Sequence, residues 1–99
     1  MTKFGELIGS EIPVLIDFYA EWEAENAENA HSILRDVAAA LGDRAKVIKI
    51  DIDKNETLAN PLKIKGNPTF IIYKDGEMKW RQSGGQDANT LISLVQQYV

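Results

Sequence analysis

The sequence predicts an α/β domain built on a mixed four-stranded sheet with helices on both faces. Three observations lead to this fold class. An almost unbroken apolar run at residues 12–19 (IPVLIDFY) suits a strand that is buried on both sides. A helical pattern and a second extended run at residues 45–52 follow it, which predicts a right-handed crossover between parallel strands. Two later extended runs flank residues 74–77 (KDGE), and Asp-Gly is a strong hairpin signal, so these strands are expected to be antiparallel.

The helices are predicted from spacing and from residues at their ends. Thr2 to Ile8 is expected to form a short helix. In the crossover helix, which Gly42 is expected to end, apolar residues recur three and four positions apart: Ala30, Ile33, Leu34, Val37, Ala38 and Leu41.

Two more helices are predicted after the second strand. Asn55 is expected to cap a short helix over Glu56 to Leu62. Asp87 is expected to cap the last helix, whose apolar face contains Leu91, Leu94, Val95 and Tyr98.

Length and charge restrict the classes of protein and partner. The 99 residues are expected to form a single domain, residues 1–99. The net charge is −4 and the basic residues are scattered, which argues against nucleic acid or an anionic membrane as partner. No apolar run approaches the roughly 20 residues that span a bilayer, and the first residues do not resemble a signal peptide. A soluble cytoplasmic monomer without a cofactor is expected.

The sequence contains no cysteine. Disulfides, thiolate zinc sites, iron–sulfur clusters and every thiol mechanism are therefore excluded for these residues.

Four stretches resemble the thioredoxin family, in the same order and at matching separations. They are VLIDFYAEW (14–22), VIKIDIDKN (47–55), KGNPTFIIYKDGE (65–77) and SGG (83–85). The resemblance covers nearly the whole chain and implies a thioredoxin-like fold. Thioredoxins usually begin with one more edge strand. This sequence starts at or just before the first helix, so that strand is expected to be missing.

The family's redox motif, Trp-Cys-Gly-Pro-Cys, has no sulfur here. Trp22 is followed by Glu23, Ala24, Glu25 and Asn26, so Glu23 and Asn26 stand at the two cysteine positions. The segment up to the next matching residues is also one residue longer than in the family. Thiol–disulfide exchange requires a thiolate that attacks a disulfide sulfur, which glutamate and asparagine cannot replace. No catalytic residue is therefore assigned.

Other residues match the family's site. Asp17 matches its buried acid, and Lys49 matches the lysine beside that acid. The resemblance also implies a peptide-binding groove that contains Trp22, Asn67, Pro68 and Gly84, with Pro68 in the cis form. The residue before this proline is usually apolar in the family, so Asn67 is a departure.

Two functions of different class are consistent with these residues. The first is a redox-inactive binding module that holds an extended peptide or protein segment beside the cis-proline. The alternative is a thioredoxin-type oxidoreductase whose cysteines were lost or replaced.

A weak metal site is a minor possibility in residues 23–31, because Glu28 and His31 are three positions apart on one helix. An acidic first turn that stabilises the helix dipole explains the same residues without a metal.

Overall fold

The computed structural model describes residues 3–20, 24–64, 69–84 and 86–99, without the side chains of residues 3, 4 and 24–30. Its elements are α1 (Lys3–Ile8), β1 (Val14–Tyr19), α2 (Ala24–Leu41), a 3-10 helix (Gly42–Arg44), β2 (Lys46–Asp51), α3 (Glu56–Ala59), β3 (Thr69–Lys74), β4 (Glu77–Ser83) and α4 (Ala88–Gln96). The predicted order of elements is confirmed, although β1 and β2 begin one or two residues later than expected.

The strands form one sheet in the order β2-β1-β3-β4. β1 pairs with β2 in parallel and with β3 in antiparallel fashion, and β3 and β4 form an antiparallel hairpin. The predicted combination of a parallel pair and a hairpin is therefore confirmed. The register places Asp17, near the end of β1, between Lys49 of β2 and Phe70 of β3.

Each face of the sheet has its own apolar core, because alternate side chains of a strand point to opposite faces. Residues of α2 and α4 cover one face, together with Leu15, Phe70 and Ile72 of the sheet. Residues of α1 and α3 pack near the other face, against Val14, Ile16, Phe18 and Ile71. The expected helices on both faces are thus confirmed.

The ends of the two long helices agree with the predictions. Gly42 follows α2 with a φ of +56°, the left-handed conformation that glycine adopts most readily. Asp87 caps α4, since its Oδ1 accepts a 2.7 Å hydrogen bond from the Thr90 amide.

The prediction for α3 was right about its start and wrong in two other respects. Asn55 takes the N-cap position before Glu56, but its side chain does not cap the helix, because its Nδ2 donates instead to the Asp51 carbonyl at 2.9 Å. The helix also ends at Ala59 rather than Leu62. Lys63 adopts a φ of +57°, and the Ile64 amide donates back to the Ala59 carbonyl at 3.2 Å. This turn reverses the chain, so Ile64 reaches the core.

Candidate functional site

Three strands meet at the end of the sheet where the sequence predicts a site. Thr69, the first residue of β3, lies opposite Phe18 of β1 and opposite Ser83 of β4. The Thr69 and Ser83 hydroxyls are 3.4 Å apart. The chain therefore leaves β1, enters β3 and leaves β4 at the same end of the sheet.

Most of the predicted groove residues fall outside the described part of the chain. Trp22, Glu23, Asn67 and Pro68 lie in the gaps, so the cis peptide bond at Pro68 stays a prediction. Asn26 and Glu28 belong to α2, but their side chains are outside the description.

Gly84 is the predicted groove residue that the structure does describe. It follows β4 with a φ of +93°, a conformation in which a side chain is strained. Among the described atoms, none lies within 4 Å of the position that a Cβ would take. Within the described ranges there is therefore space beside Gly84, and its place in a peptide-binding groove stays a prediction.

Asp17 lies beneath α2 on the face of the sheet that α2 and α4 cover. It is fully buried, at 0% exposure. Neither carboxylate oxygen has a hydrogen-bond partner in the described ranges. Burial raises the pKa of Asp17 to about 7, and the Lys49 ammonium opposes this rise. Asp17 is thus a buried acid that can exchange a proton near neutral pH.

Lys49 occupies the neighbouring position that the resemblance implies. It pairs with Asp17 in the β1–β2 register and is exposed. Its charge acts on Asp17 through space, since the two side chains, both described, form no direct ion pair.

His31 packs against an aromatic ring of the sheet. Its ring meets that of Tyr19 edge to face, with centroids 4.6 Å apart and planes at 90°. Within the described ranges no three His, Cys, Asp or Glu residues are grouped so that they could hold a metal. The Glu28 side chain lies outside those ranges, so the weak metal site stays a prediction.

The sequence did not reveal a groove between α2 and β2. This open groove has a volume of about 240 Å³ and is lined by α2 residues between 31 and 38 and by β2 residues 47–49. Its two walls are distant in the sequence and meet only through tertiary packing.

A family model named Thioredoxin matches residues 1–97. The chain belongs to the thioredoxin family. It is 42% identical over 96 residues to "Thioredoxin Y, chloroplastic" of Oryza sativa subsp. japonica, which aligns 96% of this chain with 56% of the relative. It is 37% identical to "Thioredoxin-like protein slr0233" of Synechocystis sp. over 99% of this chain and 93% of the relative. The chain thus spans only about half the length of the rice relative, but nearly all of the cyanobacterial one.

Solved thioredoxins share the fold. A thioredoxin from Halobacterium salinarum superposes with a TM-score of 0.84 at 31% identity, over 99% of this chain and 84% of that one. Chloroplastic thioredoxin z superposes with a TM-score of 0.81 at 29% identity, over 99% of this chain and 90% of that one.

Family membership leaves the chemical exclusion unchanged. The relatives are named thioredoxins, but these 99 residues contain no cysteine and cannot form a mixed disulfide. Across the described residues, no helix is long and apolar enough to cross a membrane. The word chloroplastic in the rice name states where that protein resides, and the cytoplasmic location expected for this chain stays a prediction.

Proposed function

We propose that this domain is a thioredoxin-family binding module that holds an extended segment of a partner protein without disulfide exchange. The observation that carries the proposal is a thioredoxin-family match over residues 1–97 in a sequence that contains no cysteine. A scaffold without a thiolate keeps one activity that the family's groove implies, which is to hold an extended chain by backbone pairing.

The geometry of the strand ends supports this function. No described atom lies within 4 Å of the Cβ position of Gly84, and the paired Thr69 and Ser83 lie at the same end of the sheet. Thr69 directly follows Pro68, the position beside which the family's peptides pair. An extended segment that enters here would run along the ends of β3 and β4.

The test uses an unfolded polypeptide whose cysteines have been alkylated, so that only non-covalent binding is measured. The probe is added to the ¹⁵N-labelled protein, and amide chemical shifts are followed. We expect saturable shifts at Thr69, Ser83 and Gly84. An absence of shifts at all three amides would refute the proposal.

Two glycine variants separate binding from general strain. Gly84→Ala places a side chain on the proposed binding surface and should weaken the binding. Gly76→Ala is the matched control, because Gly76 also has a positive φ, +79°, and open space around its Cβ position, but lies in the β3–β4 turn. Both variants should lose stability, and only Gly84→Ala should lose affinity. Equal losses of affinity would contradict the assignment of the surface.

A second candidate is an oxidoreductase lineage whose cysteines were lost or replaced. The observation that favours it is Asp17, which is buried, has a pKa of about 7 and lies opposite Lys49 in the register. These properties suit an acid that assists proton transfer at a thiol. Restoring cysteines at positions 23 and 26 and measuring disulfide reduction distinguishes this candidate from the binding module.

A further inference from the structure

β2 is an edge strand of the sheet. In the described part of the chain it pairs only with β1. The Lys46 amide donates to the Pro13 carbonyl and the Ile52 amide to the Tyr19 carbonyl, each at 2.9 Å. Because successive residues of a strand direct their backbone groups to opposite sides, the amides and carbonyls of Val47 and Lys49 point away from β1.

At the C-terminal end of β2, the outward backbone carbonyl already has a hydrogen-bond partner within the chain. The Asp51 carbonyl accepts from the Asn55 side chain at 2.9 Å, and Asp51 Oδ1 accepts from the Asp53 amide at 2.8 Å. The part of β2 that remains open to an added strand is therefore centred on Val47 and Lys49.

The other edge of the sheet carries features that discourage pairing. β4 has an irregular register between Ile72 and Tyr73 of its partner strand, and its Glu77 and Lys79 form a 2.7 Å ion pair. Bulges and charged side chains are common protections of an edge strand. β2 keeps a regular register along all its residues and holds three half-buried apolar side chains, Val47, Ile48 and Ile50.

The groove of about 240 Å³ lies beside the open part of β2. Its apolar lining includes Leu34, Ala38 and Val47, and its charged lining is Arg35 and Lys49, which are both exposed. Among the described side chains, no acidic one lines it. In a chain with a net charge of −4, the described lining is locally basic, and such a surface favours an acidic ligand.

We propose that the β2 edge and this groove bind a second extended segment, from a partner protein that carries carboxylates around a pair of apolar residues. The segment adds a strand by pairing with the backbone of Val47 and Lys49. Its apolar pair lies opposite Val47 and Ile48, and its carboxylates lie opposite Lys46 and Lys49. This surface is separate from the one at Gly84.

A second copy of the chain fits the edge poorly. Antiparallel pairing of two β2 strands about a two-fold axis places side chains of the same face opposite each other. One register sets Lys49 against Lys49, and like charges directly opposite are destabilising. A register centred on Ile48 sets Lys49 against Val47 and Lys46 against Ile50. A register centred on Val47 sets Lys49 against Ala45 and Lys46 against Ile48, and neither of these two forms an ion pair. A heterologous acidic segment supplies the missing partners of the lysines and avoids the like-charge contact.

The test is amide hydrogen exchange with the synthetic peptide Glu-Val-Val-Glu-Val as the probe. At a peptide concentration about ten times its dissociation constant, exchange at Val47 and Lys49 should slow about tenfold, since only about a tenth of the protein is then free. The amides of Lys46 and Ile48 already face β1 and should change little. The same peptide methylated at its amide nitrogens should give no protection.

Charge reversal tests the specificity. Lys49→Glu should weaken binding of the acidic peptide and admit Lys-Val-Val-Lys-Val, which the parent should reject. Lys79→Glu is the matched control, because it makes the same change of charge on the opposite edge and should alter neither affinity.

Four outcomes would overturn the proposal. In the first, the acidic peptide does not slow exchange at Val47 and Lys49, and in the second, the acidic and basic peptides bind equally well. In the third, both amides are already protected before any peptide is added. In the fourth, the protein sediments as a dimer. Shifts at Gly84 with the alkylated polypeptide remain a separate readout, so failure here leaves the proposed function standing.

Discussion

Two aspartates at opposite positions in the fold behave in opposite ways. Asp17 lies in β1, fully buried, without a hydrogen-bond partner in the described ranges, and burial raises its pKa to about 7. Asp87 lies at the exposed start of α4, and its hydrogen bonds with Thr90 lower its pKa. At neutral pH the ionised Asp17 is expected to disfavour the folded state, and the ionised Asp87 is expected to favour it.

The difference shows what a buried acid costs when its partners are absent. A capping carboxylate satisfies backbone amides that the helix leaves without partners. A buried carboxylate gives up its hydration and regains nothing unless donors replace the water. We therefore expect Asp17 to weaken the fold at neutral pH. The resemblance implies an acid that works beside a thiol, and these 99 residues contain no thiol.

The largest expected effect comes from Asp17→Asn, which removes the titrating charge while keeping the shape. Above pH 7 the variant should be more stable, on the order of 1–3 kcal/mol in free energy of unfolding. In the unfolded chain an aspartate has a pKa of about 3.9, so between about pH 4 and pH 7 only the folded state holds the proton. The parent should lose stability across that window as the pH rises, and the variant should not.

Urea unfolding of both proteins from pH 4 to pH 8 measures this difference. The gap between them should grow through the window and become constant above pH 7. A lower melting temperature for Asp17→Asn at pH 7 would mean that the acid is structurally paired.

A smaller effect is expected from Lys49→Met, which removes the positive charge that opposes the rise in the pKa of Asp17. The pKa should move further upward, since a nearby cation favours the ionised carboxylate. A ¹³C NMR titration of the Asp17 carboxyl measures the shift. Lys46→Met is the control, because Lys46 points to the opposite face of the same strand. An unchanged pKa in Lys49→Met would show that the interaction is absent.

The smallest effect is expected from Asp87→Ala, which removes the cap of α4 and should lower the melting temperature by a few degrees at pH 7. Because the folded pKa of Asp87 is lowered, its contribution is present above the unfolded pKa and disappears as the pH falls through the folded value. Asp87→Asn should keep most of the cap, since an amide oxygen also accepts the Thr90 amide. Thermal unfolding compares the parent and the two variants. If Asp87→Asn lowers the melting temperature as much as Asp87→Ala does, the result would argue against the cap.

The sequence was sufficient for the elements that depend on periodicity and caps. The alternation in β2, the hairpin at Asp75-Gly76 and the cap at Asp87 all follow from local patterns. The failure of the Asn55 side chain to cap α3 could not be anticipated, because the turn after β2 offers that side chain a competing acceptor four residues earlier, the Asp51 carbonyl.

The candidate site was predictable only in part. Resemblance pointed to Asp17, Lys49 and Gly84. The structure buries Asp17, pairs it with Lys49 in the register and gives Gly84 a positive φ, and the roles of these residues stay predictions. The groove beside β2 could not be predicted, because Arg35 and Lys49 are brought together only when α2 packs on the sheet.

The central claim is that this scaffold binds but does not reduce disulfides, even when sulfur is restored. The most direct test is insulin disulfide reduction by the double variant Glu23→Cys, Asn26→Cys, with the unmodified chain as the blank. We expect a folded double variant that reduces insulin no faster than the blank, because the sequence predicts that the extra residue and Asn67 change the site. Rapid reduction that is lost when Asp17→Asn is added would contradict the account and establish the oxidoreductase lineage.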